Sequence, residues 1–163
     1  MARIACPLVG KLYVVRHADA GSRGRDDEPD ELRRLSGRGQ RQAEALTDQL
    51  ADAGIERLIA SPSARCVDTL VPLAKHLGID VEPDQRLAEG MGFAGALELA
   101  EELRGSTAAL CSHGDVIPDL LEALVRRGTK LKDHPRWQKA STWVFTRDGD
   151  GFSKGRYLAP PAS

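Results

Sequence analysis

The run Leu12-Tyr13-Val14-Val15 constrains the fold more than any other stretch, because four apolar residues stop abruptly at Arg16, His17 and Asp19. Two of the four are β-branched, so the run reads as a short buried strand, and Gly21 and Ser22 open a loop behind it. In open α/β sheets ligands bind in the crevice at the carboxyl ends of the strands, where an arginine beside an imidazole makes a candidate anion site. On its own the pair reads first as a surface ion pair at a strand end. The chain answers it at Thr107 to Cys111, a second apolar strand that ends in Ser112-His113-Gly114-Asp115.

Helical and strand patterns alternate between these two strands. Residues 21 to 34 have no apolar periodicity and carry both charge signs, which makes a solvated loop; Ser22, Arg23 and Arg25 stay candidates for substrate contact because the loop follows a site-bearing strand. Ala43, Leu46, Leu50 and Ala53 recur at helical spacing over Gln40 to Ala53, with Ser36 as a possible N-cap. Ile55 to Ala60 predicts a strand. Ser61-Pro62-Ser63 then starts a helix that runs to Leu77 before Gly78, with a capping serine and a proline in its first turn. Arg65 falls in that same turn, where free N–H groups and the macrodipole already favour phosphate. A short strand over Ile79 to Val81 and a loop from Pro83 to Gly92, carrying Arg86 and Glu89, lead to a helix over Phe93 to Arg104. After the second histidine, Val116 to Arg127 forms a helix ended by Gly128, and residues 129 to 140 are basic and irregular. Ser141 to Thr146 and Phe152 to Leu158 flank Asp148-Gly149-Asp150-Gly151, a hairpin signal.

This alternation predicts an α/β three-layer sandwich: a mostly parallel central sheet, helices on both faces and an antiparallel C-terminal edge hairpin. Two strands each deliver a histidine at the carboxyl end and one helix N-terminus delivers Arg65, so the three can converge on one crevice. The length of 163 residues fits one domain, 1–163. A net charge of -1 provides no global field for nucleic acid or an anionic membrane, so neither is an expected partner. Met1 to Gly10 is neither a secretory signal nor a spanning helix, and a cytoplasmic location is expected. Cys6, Cys66 and Cys111 have no CxxC spacing, which predicts buried thiols rather than a disulfide framework or a zinc site.

The ordered motifs resemble the histidine phosphatase superfamily, the phosphoglycerate-mutase-like group. Its Arg-His-Gly signature is similar to Arg16-His17-Ala18, and its Leu-Ser/Thr-x-x-Gly-x-x-Gln-Ala helix entry to Leu35 through Ala43. Its Ser-Pro-x-x-Arg segment is similar to Ser61 to Arg65, with Thr69 following, and its second His-Gly to His113-Gly114. Short length and the lack of a large insertion resemble the compact SixA-like phosphohistidine phosphatases. The wording around both histidines also resembles the phosphatase-like half of some two-domain Nudix proteins, although no Nudix half is read in these residues. Ala18 departs from the usual glycine and is expected to be tolerated.

The resemblance implies a phosphatase acting on a phosphoester or phosphoramidate through a phosphohistidine on His17, with no metal and no cofactor. A neutral imidazole can attack phosphorus in line, while Arg16, Arg65 and His113 supply charge-assisted hydrogen bonds to the equatorial oxygens. Glu89 lies where larger members keep an acidic proton donor, and Asp19 is the alternative donor. A phosphorylated small molecule or a phosphohistidine protein is the implied partner. Three other readings stay open: a phosphate-dependent binding or regulatory module without turnover, a mutase, and a nucleotide or polyphosphate phosphohydrolase. A cysteine-based phosphatase is excluded, since Leu12, Pro72 and Ile117 stand where Cys-x5-Arg needs arginine. Asp148-Gly149-Asp150-Gly151 imitates an aspartate-nucleophile loop but has no downstream lysine and acidic ligands, and is read as a turn.

Overall fold

A computed structural model describes residues 10–22 and 28–163. Lys11–Arg16 (β1), Arg57–Ala60 (β2), Val81–Pro83 (β3), Ala108–Ser112 (β4), Lys130–Leu131 (β5), Thr142–Asp148 (β6) and Gly151–Leu158 (β7) form one sheet. Its strand order is β3-β2-β4-β1-β6-β7-β5. Only β6 runs against the rest, because its pairings with β1 and β7 are antiparallel and the other four are parallel. The helices are Gly37–Leu50 (α1), Ala64–Leu77 (α2), Ala94–Glu102 (α3) and Val116–Arg126 (α4).

Strand side chains alternate between two cores, as the period of two requires. Leu12 and Val14 of β1, Ile59 of β2 and Leu110 of β4 pack with Leu99 of α3 and Ile117, Leu120 and Leu124 of α4. Tyr13, Val15, Leu58 and Ala109 face the other way, onto Leu46 and Leu50 of α1 and Leu70 and Leu73 of α2. With both faces covered, each fully buried aliphatic side chain contributes roughly 1.5–3 kcal/mol of transfer free energy. None of the helices is long and apolar enough to cross a membrane among the described residues.

Ser36 caps α1 as its position predicts: its hydroxyl accepts from Gly39 N at 3.0 Å. That helix start also clamps the loop after β1. Asp19 O accepts from Ser36 N at 3.0 Å, and Gln42 Oε1 accepts from Asp19 N at 2.8 Å. A Cβ on Gly39 would overlap the Asp19 carbonyl, so only glycine lets the helix approach this closely.

The expected layers are present, with several corrections to their boundaries. Pro62 lies before α2 rather than in its first turn, because Ser63 is the residue at the helix boundary, and its side chain makes no cap bond. The β6–β7 hairpin is not the sheet edge: β5, two residues from the stretch read as irregular, pairs in parallel outside β7. β3 begins at Val81, two residues later than its apolar pattern suggests, and α1 ends at Leu50 rather than Ala53.

Candidate active site

β1 and β4 are parallel neighbours with Arg16 opposite Ser112, so the two strand ends that carry His17 and His113 leave the sheet side by side. Their imidazole centroids stand 5.5 Å apart at 63°. The backbone at His17 is tied from both directions. Its own N–H donates to Ser112 O at 3.1 Å. The next, Ala18 N, donates to Thr69 Oγ1 at 2.9 Å, and the Thr69 hydroxyl donates to Arg65 O at 2.6 Å. From below, Ala140 N bonds Arg16 O and His17 O at 3.1 and 3.2 Å.

His17 is 6% exposed. Its Nδ1 lies 2.8 Å from Ala18 O, and a carbonyl can only accept, so Nδ1 carries the hydrogen and Nε2 keeps the lone pair. Burial, joined by the charges of His113, Arg65 and Arg16, pushes its pKa from 6.5 down to about 3, against the opposing pull of the Ala18 bond. The ring is neutral at physiological pH.

Two arginines flank it. Arg16 Nη1 donates to Trp137 O at 2.9 Å, and burial lowers the pKa of this guanidinium. Arg65, in the first turn of α2, is 1% exposed. Its Nη1 donates to Asp30 O at 3.0 Å, and its Nη2 reaches Asp30 Oδ2 at 3.2 Å, Glu89 Oε2 at 3.3 Å and His113 Nδ1 at 3.3 Å. The Nε of both arginines is buried without a hydrogen-bond partner among the described residues. Buried N–H groups are rarely left so, and each is a donor that an anionic ligand can satisfy.

His113 Nε2 is 2.8 Å from Ser61 Oγ and 3.6 Å from Cys66 Sγ. A serine hydroxyl donates or accepts, so Nε2 has a partner in either tautomer. Glu89 sits across the cleft with its side chain 43% exposed. Asp115 Oδ2 accepts from Gly90 N at 2.7 Å, which ties the Glu89 loop to the end of β4. The cleft, about 400 Å3, is lined by Arg16, His17, Arg65, Glu89 and His113.

The sequence model of the histidine phosphatase superfamily (branch 1) matches residues 12–94, half of the chain. The chain belongs to this superfamily. Arg16, His17, Arg65 and Glu89 lie inside the matched segment, and His113 beyond it. The chain is 34% identical over 155 residues to a protein of Mycolicibacterium smegmatis named 8-oxo-(d)GTP phosphatase, covering 92% of this chain and 48% of that protein. It is 42% identical over 59 residues to an uncharacterised protein of Mycobacterium tuberculosis, 36% of this chain and 29% of the other. It thus spans about half or less of these relatives. Among solved structures, the protein histidine phosphatase SixA complexed with tungstate matches with a TM-score of 0.73 and 19% identity, covering 93% of this chain and 96% of SixA. A mycobacterial glucosyl-3-phosphoglycerate phosphatase matches with a TM-score of 0.65 and 20% identity, over 92% and 96%. At these identities the likeness is one of fold.

Of the residues singled out in the sequence, the cleft brings together Arg16, His17, Arg65, Glu89 and His113. Asp19, expected as an alternative proton donor, is placed differently. Its Oδ2 accepts from Ser36 Oγ at 2.6 Å and Gly21 N at 3.3 Å, and Lys139 Nζ lies 3.1 Å from Oδ1. The Ser36 hydroxyl foremost, with Lys139 and Gly21, holds the carboxyl at about 2, so it is ionised and has no proton to give. Ser22 is exposed, while Arg23, Arg25 and Cys6 lie outside the described residues. Cys66 and Cys111 are buried thiols. Two cations of the cleft wall went unread in the sequence, Arg33 and Lys139. Arg33 belongs to the same charged loop as Arg23 and Arg25, and Lys139 sits in a stretch with no periodicity to mark it.

Proposed function

We propose that the chain is a metal-independent phosphohydrolase that works through a covalent phosphohistidine on His17. The carrying observation is the state of that ring: a buried imidazole, hydrogen-bonded through Nδ1–H, with a neutral Nε2 lone pair between two arginines whose Nε donors are unspent. Nε2 attacks phosphorus as the P–O or P–N bond to the leaving group breaks, and Arg16, Arg65 and His113 neutralise the equatorial oxygens. Ser61 Oγ holds His113 through Nε2 at 2.8 Å, which fixes the imidazole beside Arg65 at the phosphoryl site. Glu89 gives its proton to the departing atom, then takes one from the water that attacks the phosphohistidine; the N–P bond breaks, and phosphate and neutral His17 are restored. A phosphorylated small molecule or a phosphohistidine protein fits this chemistry. The relative named 8-oxo-(d)GTP phosphatase supports a phosphate-bearing substrate, but half of that protein has no counterpart here.

Turnover of nitrophenyl phosphate by the wild type, with an acid-labile phosphoryl group on His17 after a rapid quench, is the expected result. His17→Ala should retain the fold and lose turnover. A chain that binds phosphate and never turns over is a binding module instead.

A further inference from the structure

Lys139 and Arg33 line the same cleft as His17, yet the chemistry above uses neither. Both are held in place by the fold. Ala140, the one residue other than glycine with positive φ among the described residues, sits at 64°. Its N–H bonds to Arg16 O and His17 O hold that strained backbone, which fixes Lys139 directly beside the nucleophile's strand end. Arg33 Nη1 donates to Ala20 O at 2.8 Å and Gly21 O at 3.0 Å, and its Nε to Asp30 Oδ1 at 3.0 Å. Asp19 and Asp30 orient these cations without exhausting them. Lys139 spends one of three ammonium donors on Asp19 and is 35% exposed, and the hydrogen bonds of Arg33 among the described residues run through Nε and Nη1, not Nη2. Asp115 also borders the cleft, with Oδ2 turned to Gly90 N.

Arg16, Arg65 and His113 already suffice for the three equatorial oxygens of one phosphoryl group. Lys139 and Arg33 line the cleft in addition to those three groups. Extra cations on its wall disfavour an imidazolium or ammonium leaving group and favour a neighbouring anion. We propose that Lys139 and Arg33 form a subsite for a second phosphate group, so that the substrate carries phosphates in tandem and the terminal one is removed. This rests on the phosphohydrolase reading above. His17 Nε2 bonds to the terminal phosphorus, the bridging P–O bond breaks with its electron pair going to the departing phosphate, and water then releases orthophosphate from His17.

Calorimetric titration of the full chain with inorganic phosphate, methylenediphosphonate and phosphonoacetate tests this without turnover. The diphosphonate is expected to bind roughly ten- to a hundredfold tighter than phosphate, the value of one or two charge-assisted hydrogen bonds. That preference should vanish in Lys139→Met and return in Lys139→Arg, with melting curves confirming that both are folded. Phosphate binding without a diphosphonate preference overturns the subsite alone, and so does an unaltered preference in Lys139→Met. Phosphonoacetate binding as tightly as the diphosphonate overturns the assignment to phosphate, since a carboxylate would then serve. If no anion binds, the phosphohydrolase reading falls first.

Discussion

Gly114 makes the space in which Arg16 lies: a Cβ at this position would stand 2.8 Å from Cζ and Nη2 of the guanidinium and 3.1 Å from Nε. The plane of Arg16 thus rests on the backbone that follows His113, while its Nη1 donates to Trp137 O at 2.9 Å. The residue after the second histidine is therefore glycine for the sake of the arginine before the first.

Gly114→Ala should displace the guanidinium while the rest of the sheet persists. Misplacing a charge-stabilising group by about 1 Å costs on the order of 10²-fold in rate. The expected outcome is a loss of that order in kcat/KM on nitrophenyl phosphate, with a melting temperature near that of the wild type. Undiminished activity would mean that Arg16 makes no contact with the reacting phosphate.

The depressed pKa of His17 has a thermodynamic consequence. In the unfolded chain the ring takes a proton near pH 6.5, whereas in the fold burial delays this to about 3. Between those values the unfolded state binds more protons, so this residue destabilises the fold increasingly as pH falls through the window. His17→Asn removes that term. Denaturant titrations at several pH values should show the variant gaining stability relative to wild type as pH drops below 6.5, and a constant difference would contradict a neutral buried ring.

Local patterns carried most of the frame. The four-residue run before Arg16 and the apolar stretch before His113 are strands because nothing in them resists a doubly covered sheet, and Ser36 caps α1 because its hydroxyl has Gly39 N within reach. What escaped depends on partners far along the chain. Lys130 and Leu131 form a strand only because Lys154 and Gly155 lie beside them. Lys139 enters the cleft through the bonds of Ala140 to residues more than 120 positions earlier. Asp19 reads as a spare acid in sequence, and only the fold brings Ser36 and Lys139 onto it.

Arg65 tests geometry against charge. Its buried fork reaches Asp30, Glu89 and His113 together, which a single ammonium at the end of a flexible stem cannot reproduce. Arg65→Lys is expected to lower kcat/KM by about 10²-fold or more, since removing one preorganised donor from a developing anion costs that much. It should also reduce stability, because the polar partners of a fully buried arginine would be left unpaired. A variant with wild-type kinetics would remove Arg65 from the phosphate site.

The leaving group offers the sharpest test of Glu89. If this carboxyl protonates the departing oxygen, its loss matters most for a poor leaving group such as a sugar alkoxide and least for nitrophenolate, which departs without help. General-acid assistance is worth ~10²- to 10⁴-fold, so Glu89→Gln, which keeps the side chain's shape, should separate the two substrate classes by about that ratio. Water attack on the phosphohistidine also draws on Glu89 as base, and in that case the variant gives a burst of nitrophenolate followed by slow turnover. Equal losses on both classes without a burst would reduce Glu89 to a partner that positions Arg65 through their 3.3 Å contact. Asp19 is poorly placed to replace it in that event, because Ser36 and Lys139 hold its carboxyl well below the usual carboxylate range.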